Sequence, residues 1–283
     1  MYKLWPLVQG AEGPIPAQGF TSLLEPSCIQ VAGIDVPPDE GSGGTPGAEY
    51  SASMPLNDTG ITFCGEADSG NNRPCTGAEP VGQDAYVGRD AAAAAGQLTK
   101  VGSGHAGFDF TKIANNGSAL PDTAVLGTGP TDWACTRDNV TGLIWEVKTD
   151  DGGLRDKDNT YTWYNPDSST NGGYAGIPNG GSCTGSDCDT DGFVTAVNAQ
   201  ELCGATDWRL PDRFELGSIV IVDQTGPSID VDLFPNTLPR QFRSALPYAG
   251  ISDFAWTVDF YGGGVSAFRM NNDDAVRLVR GGQ

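Results

Sequence analysis

Between Phe254 and Tyr261 apolar and polar side chains alternate. The pattern predicts a strand with Trp256, Val258 and Phe260 on one face and Thr257, Asp259 and Tyr261 on the other. Gly262-Gly263-Gly264 predicts a reversal, and Val265 to Met270 a second strand whose Ser266, Phe268 and Met270 join the outer face. Ala275 to Arg280 is a third β segment. Upstream the period becomes helical: Val194 and Val197, with Glu201 and Leu202 extending the series, predict a helix over Gly192 to Cys203, entered at Asp191. Pro211 opens a second helix with apolar positions at 214, 216, 219 and 220. Asp90 to Ala95 reads as a short capped helix stopped by Gly96, and Gly60 to Cys64 as a strand. Asp138 to Trp145 reads as a turn entering a buried strand, with Leu143 and Trp145 on one face. Two helices followed by a terminal antiparallel sheet predict an α+β domain.

Composition adds long loops to this picture. Of 283 residues only 38% are hydrophobic, while 40 are Gly and 19 Pro, so turns and loops must occupy much of the chain. Residues 1–48 carry proline, glycine and acid with little periodicity and read as an extended arm or linker. Residues 49–283 then form the domain, with 49–130 as an elaboration at its amino-terminal side and a Gly/Asp-rich loop over about 149–191. With 36 acidic against 16 basic residues, the charge of −20 repels phosphate backbones and argues against nucleic acid as a partner.

Seven cysteines, at 28, 64, 75, 135, 183, 188 and 203, lack the paired spacing of a zinc ribbon, and a single histidine, His105, removes most histidine-containing metal sites. Disulfides in an oxidising compartment fit better, which places the protein outside the cell or on its surface. One connectivity pairs Cys64 with Cys75, Cys183 with Cys188 and Cys135 with Cys203, leaving Cys28; sequence does not fix it. No run reaches the length of a membrane span. Met1 to Val8 lacks the apolar length of a secretion signal, and the preferred reading is that an export signal has been removed.

Several strings then converge. Thr141-Gly-Leu-Ile-Trp145, Asp207-Trp-Arg-Leu-Pro211 followed by Glu215-Leu216, Phe234-Pro235, Ala255-Trp256-x-Val258-x-Phe260 and Val276-Arg-Leu-Val-Arg280 resemble, in order and spacing, the Lcl C-terminal domain family of bacterial surface proteins. Pro55 to Gly60, Gly88-Arg-Asp90 and Cys135 to Asn139 are similar to extended members, so the resemblance covers roughly residues 50 to 283. It implies a C-type lectin-like fold, and the ending Val276 to Gln283 resembles the variable proteins of diversity-generating retroelements, in which a carboxy-terminal surface contacts ligands. One departure stands out. Members usually carry an aromatic-serine-serine string where this chain has Gln241-Phe-Arg-Ser-Ala245, so Arg243 puts a charge where a small residue is common.

The expected contact surface is Thr257, Asp259, Tyr261, Ser266, Phe268 and Met270, extended by Arg243, Ile251, Asp253, Phe254, Asn271, Asn272, Asp273 and Asp274 in neighbouring loops. Aromatic and thioether groups there offer apolar contact, and Asp, Asn and Arg supply directional hydrogen bonds. The alternative packs Phe268 and Met270 beneath the amino-terminal half. Trp208 and Leu210 are expected in the core, Arg209 on a carboxylate or loop carbonyls, and Arg277 and Arg280 as staples of the terminal strand.

Asp156 with Asp158, and Asp189 with Asp191, bring oxygen ligands together as Ca²⁺ loops do, but complete no EF-hand; solvated turns and a helix cap are preferred, and no other cofactor is implied. No catalytic residue is assigned, because a relay would have to use His105 and no nucleophile elbow precedes a helix. The expected function is capture of a protein or glycan on another cell or surface. The alternatives are an adhesin or filament subunit, with self-association, and an oxidase of the formylglycine-generating type, which shares a related fold.

Overall fold

The computed structural model describes residues 57–66 and 70–281, all within the unit Ser51–Gln283. The expected arm, residues 1–48, and Cys28 lie outside the described residues. Nine strands and three α-helices follow one another among them. They are β1 (Cys64–Glu66), β2 (Gly70–Arg73), α1 (Gly88–Ala94), β3 (Phe110–Ala114), β4 (Trp133–Asp138), β5 (Ile144–Glu146), α2 (Thr190–Ala199), α3 (Arg213–Gly217), β6 (Gln241–Pro247), β7 (Phe254–Asp259), β8 (Val265–Arg269) and β9 (Val279–Arg280). The strands form antiparallel sheets β1-β2, β3-β4-β5-β9 and β6-β7-β8, so the fold is α+β as the sequence predicts.

The central four-stranded sheet divides the core. On one side Phe108, Phe110, Leu143, Trp145 and Val279 pack with Leu216, Ile219, Phe234, Phe242, Val258 and Phe260. On the other, Ile113, Cys135, Val276 and Leu278 pack with Tyr161, Phe193, Val197 and Trp208. The alternation of Leu143 and Trp145 against Ile144 explains this division, since successive side chains leave a strand on opposite faces. Each large side chain removed from water contributes about 1.5–3 kcal/mol.

Boundaries differ from the sequence reading for local reasons. The predicted strand over Gly60 to Cys64 lies at Cys64–Glu66 instead; Gly60 has φ +79°, outside the extended range a strand needs. Helix α1 starts two residues before Asp90, whose carboxylate caps nothing on its own helix and instead accepts the backbone N–H of Gly60 and of Gly107. Helix α2 begins on an Asp189 cap that accepts Gly192 N–H, and ends by Ala199 because Glu201 and Cys203 take left-handed φ of 51° and 52°. Helix α3 is five residues long, fixed by a capping box in which Asp212 and Glu215 exchange hydrogen bonds. The terminal segment does not extend the hairpin sheet: β9 crosses to pair with β5 through Ile144↔Arg280 and Trp145↔Val279.

The bridges formed are those of the one connectivity named from the sequence, joining Cys64 to Cys75, Cys135 to Cys203 and Cys183 to Cys188. Trp208 is buried, and Arg209 pairs with Glu215 at 2.6 Å. Arg280 reaches Asp207 at 2.6 Å, and Arg277 lies in the core with one NH group on Glu146 O and the other on Thr237 Oγ1, so both tie the terminal strand down as expected.

Lys148 and Arg155 share that interior with Glu146. Lys148 Nζ lies 3.1 Å from Glu146 Oε1 and 4.5 Å over the Phe193 ring, while Arg155 donates to Ala134 O and Val147 O. Burial pushes the Lys148 ammonium down to about 8, against the pull of Glu146. Between that value and the ordinary 10.5 the unfolded chain holds a proton that the folded chain has released, so stability rises with pH across this window. Above about 10 the Tyr161 phenol, raised by burial, reverses the slope, because the unfolded phenol ionises first. Burial pushes the Arg277 guanidinium down to about 10, but its delocalised charge, held by the Glu146 carbonyl and the Thr237 hydroxyl, keeps its proton across this range. Thermal melts stepped from pH about 7 to about 11 are expected to pass through a maximum near pH 10. Lys148→Met should flatten most of the rising limb, leaving the part due to Lys100 and Lys112, which burial also lowers; an unchanged profile in that variant would assign the whole limb to them.

Candidate ligand-binding surface

The hairpin β7-β8 is held at both ends. At its tip Gly263, at φ +78°, donates to Asp259 O, and a Cβ there would meet Val220 Cγ1 at 2.6 Å, so glycine is required. Tyr261 N–H is taken by Asp259 Oδ1, and Phe260 O and Tyr261 O accept Ser228 and Gly226 N–H. At the open end Met270 N–H donates to Asp253 O, and Trp163 N–H to Met270 O. The Tyr261 ring is thereby presented on a fixed backbone with 61% of its surface exposed.

Of the residues expected on the contact surface, Ile251, Tyr261, Ser266, Asn271, Asn272 and Asp273 are exposed, and Asp253, Phe254, Asp259, Phe268 and Asp274 are half-buried. Arg243, Thr257 and Met270 are buried, which corrects the sequence reading. The cause is the 149–191 loop, which brings Trp163 and Tyr174 onto Met270 and Ala255 and covers part of the face that alternation assigns to solvent. Thr257 Oγ1 donates to Gln241 Oε1 across the strands. Arg243 lies beneath the 268–274 turn, donating to Phe268, Arg269 and Asn272 carbonyls and pairing with Asp274 at 2.7 Å.

The opposite face of β7 also departs from expectation. Val258 and Phe260 enter the core, but Trp256 is only half-buried. The Arg213 guanidinium lies 4.3 Å from its ring and 4.5 Å from Phe214, and Tyr248 meets Trp256 edge-on at 5.0 Å. Beyond it Arg269 covers Phe254 at 5.3 Å and pairs with Asp253. Sequence reasoning missed Arg213, Phe214 and Tyr248 as surface residues by placing 214 on the apolar stripe of a longer helix. The capping-box spacing of Asp212 and Glu215 was the signal that fixes where α3 starts.

Strand β8 is the outer strand of its sheet. Bonds from Met270 N–H to Asp253 O and from Asp259 N–H to Gly264 O set the alternation of the ladder. That alternation turns the backbone groups of Val265 and Ala267 away from β7. On β6, by contrast, Arg243 N–H and Ala245 N–H donate to Ala275 O and Pro211 O.

The carboxylates of the two candidate Ca²⁺ loops are engaged by backbone N–H groups and by a lysine. Asp156 accepts N–H from Asp151, Gly152 and Asp158, and Lys157 Nζ sits 2.8 Å from Asp150 and 2.7 Å from Asp158 in the place of a cation. Asp189 is spent on Gly192 and Asn179 N–H. Asp191, its carboxyl raised by burial and by Asp189, lines a 620 Å³ cavity with Tyr164, Asp187 and Asn179. A cluster that sequence did not single out brings carboxylate oxygens of Asp58, Asp84 and Asp90 within 4.8 Å of one another, a set that could hold a metal. Burial raises the Asp90 carboxyl, and Asp58 adds to the shift. His105, the lone histidine, has Nε2 against Gly60 O at 3.2 Å and Asp223 at 3.4 Å.

Residues 134–280 match the family described as the Lcl C-terminal domain. No curated protein matches the chain. Helix α2, α3 and the hairpin all lie inside the matched segment, whereas the Asp58–Asp84–Asp90 cluster and the Cys64–Cys75 bridge lie outside it.

Proposed function

The chain belongs to the Lcl C-terminal domain family, and from that premise we propose that it is a disulfide-stapled binding module, displayed or secreted outside the cell, that captures a protein or glycan through its terminal hairpin. The observation that carries this reading is the rigid presentation of Tyr261, Ser266 and Phe268 on a hairpin pinned at both ends. A rigid aromatic pays little entropy on binding, and such groups dominate recognition surfaces. Location outside the cytoplasm is supported by the three disulfides. Among the described residues no helix is long and apolar enough to cross a membrane.

A C-type lectin-like architecture is part of the proposal, supported by the order of two helices, a terminal sheet and a last strand that returns to β5. So is the kinship with retroelement-diversified proteins, for which the exposed positions on β8 and the 271–273 turn would be the ones free to vary. The role proposed is non-catalytic. All six described cysteines are bonded, which counts against the cysteine-oxidase alternative.

The test is capture of probes on peptide and glycan arrays by the oxidised protein. Tyr261→Ser with Phe268→Ser is expected to lose at least about tenfold in capture, the scale of about 1.4 kcal/mol, while the melting curve holds. Full capture by that variant would reject the hairpin as the contact surface. A second reading, an assembly subunit, is favoured by the open β8 edge, a template for pairing with another strand. Light scattering that returns an oligomer, lost on Ala267→Pro, would support it.

A further inference from the structure

Helix α3, strand β7 and the residue that follows β6 build a ridge in which Phe214, Arg213, Trp256 and Tyr248 lie in succession. Phe214 is 51% exposed, and Arg213 and Trp256 are half-buried. Both carboxylates next to Arg213 in sequence are committed elsewhere: Asp212 Oδ1 accepts the N–H groups of Phe214 and Glu215, and Glu215 holds Arg209 with two hydrogen bonds. Among the described residues no carboxylate lies within ion-pair distance of Arg213, in a chain that carries 36 acidic against 16 basic residues. A guanidinium stacked on rings keeps its edge N–H donors available for a planar, bidentate acceptor.

We propose that this ridge docks an acidic protein segment, placing a carboxylate on the Arg213 guanidinium and a neighbouring apolar side chain against Phe214. The inference rests on the binding role argued above and names both a partner class and a face of the sheet other than the one alternation points to. The chain as a whole carries −20, so the attraction is local: the unpaired Arg213 guanidinium selects a single carboxylate at short range. The ring geometry selects a peptide over a sugar: a sugar platform needs an open ring face, and here Arg213 covers a face of Trp256 while Tyr248 closes on it edge-on. Trp, Tyr and Arg in one cluster is also the composition of protein-interface hot spots. Arg269, already paired with Asp253, flanks the ridge and adds a second, weaker attraction.

The full chain, kept oxidised, is tested on an immobilised array of random dodecapeptides and, in parallel, on a glycan array that includes uronic acids. Bound peptides are expected to be enriched in Asp or Glu beside Leu, Ile or Phe. Arg213→Gln should weaken them about ten- to a hundredfold, as loss of a charge-assisted bond does, with an unchanged melting curve. Arg213→Lys should recover only part of the loss, because an ammonium cannot bind in bidentate fashion. Were Arg213→Gln to misfold, Phe214→Ser must show the same loss. Absence of acidic enrichment, equal capture by Arg213→Gln, or Arg213-dependent capture of uronic glycans in place of peptides would each overturn the proposal. Full capture by Arg213→Gln together with loss in the Tyr261/Phe268 variant defeats the ridge and leaves the hairpin reading intact; full capture by both variants defeats both.

Discussion

Arg243→Ala is expected to destabilise the domain by about 3–5 kcal/mol, the cost of breaking a buried ion pair by removing one partner. The guanidinium is fully buried, and its loss strands Asp274 together with the Phe268, Arg269 and Asn272 carbonyls that it now satisfies. These groups lie in the turn that leads from β8 back to the core, so the damage should be local before it is global. Chemical denaturation gives the magnitude, and amide exchange should show lost protection from residue 265 to 274. Arg243→Lys should fall between, since one ammonium cannot serve carbonyls on both sides of the turn. A stability change under about 1 kcal/mol would mean that the turn is held by its backbone alone. A ligand contact at Arg243 would produce the opposite pattern, with binding lost and stability kept.

Replacing Cys135 and Cys203 together by alanine is expected to cost about 4 kcal/mol, because the bridge closes a 68-residue separation in the unfolded chain. For a domain of this size that corresponds to a melting point lower by roughly 10 °C. The Cys183–Cys188 bridge spans five positions, and its removal should cost only about 2 kcal/mol by the same relation. The long bridge also joins β4 to the segment after α2, where Cys203 holds a left-handed backbone. Melting of the two double variants under identical conditions tests the order. Equal losses would show that native-state strain or denatured-state structure outweighs loop closure.

The parts of the fold legible in the sequence were those where one physical cause dominates. The Gly262 to Gly264 reversal between two alternating runs gave the hairpin, and Leu143 with Trp145 gave the core face of β5. Strands β3 and β4 were not legible, because they are buried on both faces and carry no period-two signal. Strand β6 was missed for a related reason: its register shifts between Arg243 and Pro247, which breaks the alternation.

The site was read less well than the fold. Alternation says that two faces differ, not that one of them meets water, and here a polar, glycine-rich loop carries Trp163 and Tyr174 across part of the supposed outer face. Composition hid those two aromatics among aspartates. The departure at Arg243 was visible as an anomaly, but its meaning depended on carbonyls some 25 to 29 positions away, which no local pattern encodes.

The pairing of β5 with β9 also sets an order of events during synthesis. Arg277 donates to Glu146 O across 131 positions, and Val279 lies opposite Trp145, so the central sheet has an empty place until residue 280 has left the ribosome. Contacts this remote in sequence form slowly, after the entropy of a large loop has been spent. Until that strand arrives the β5 edge of the sheet stays open, and the core packed on its two faces cannot close.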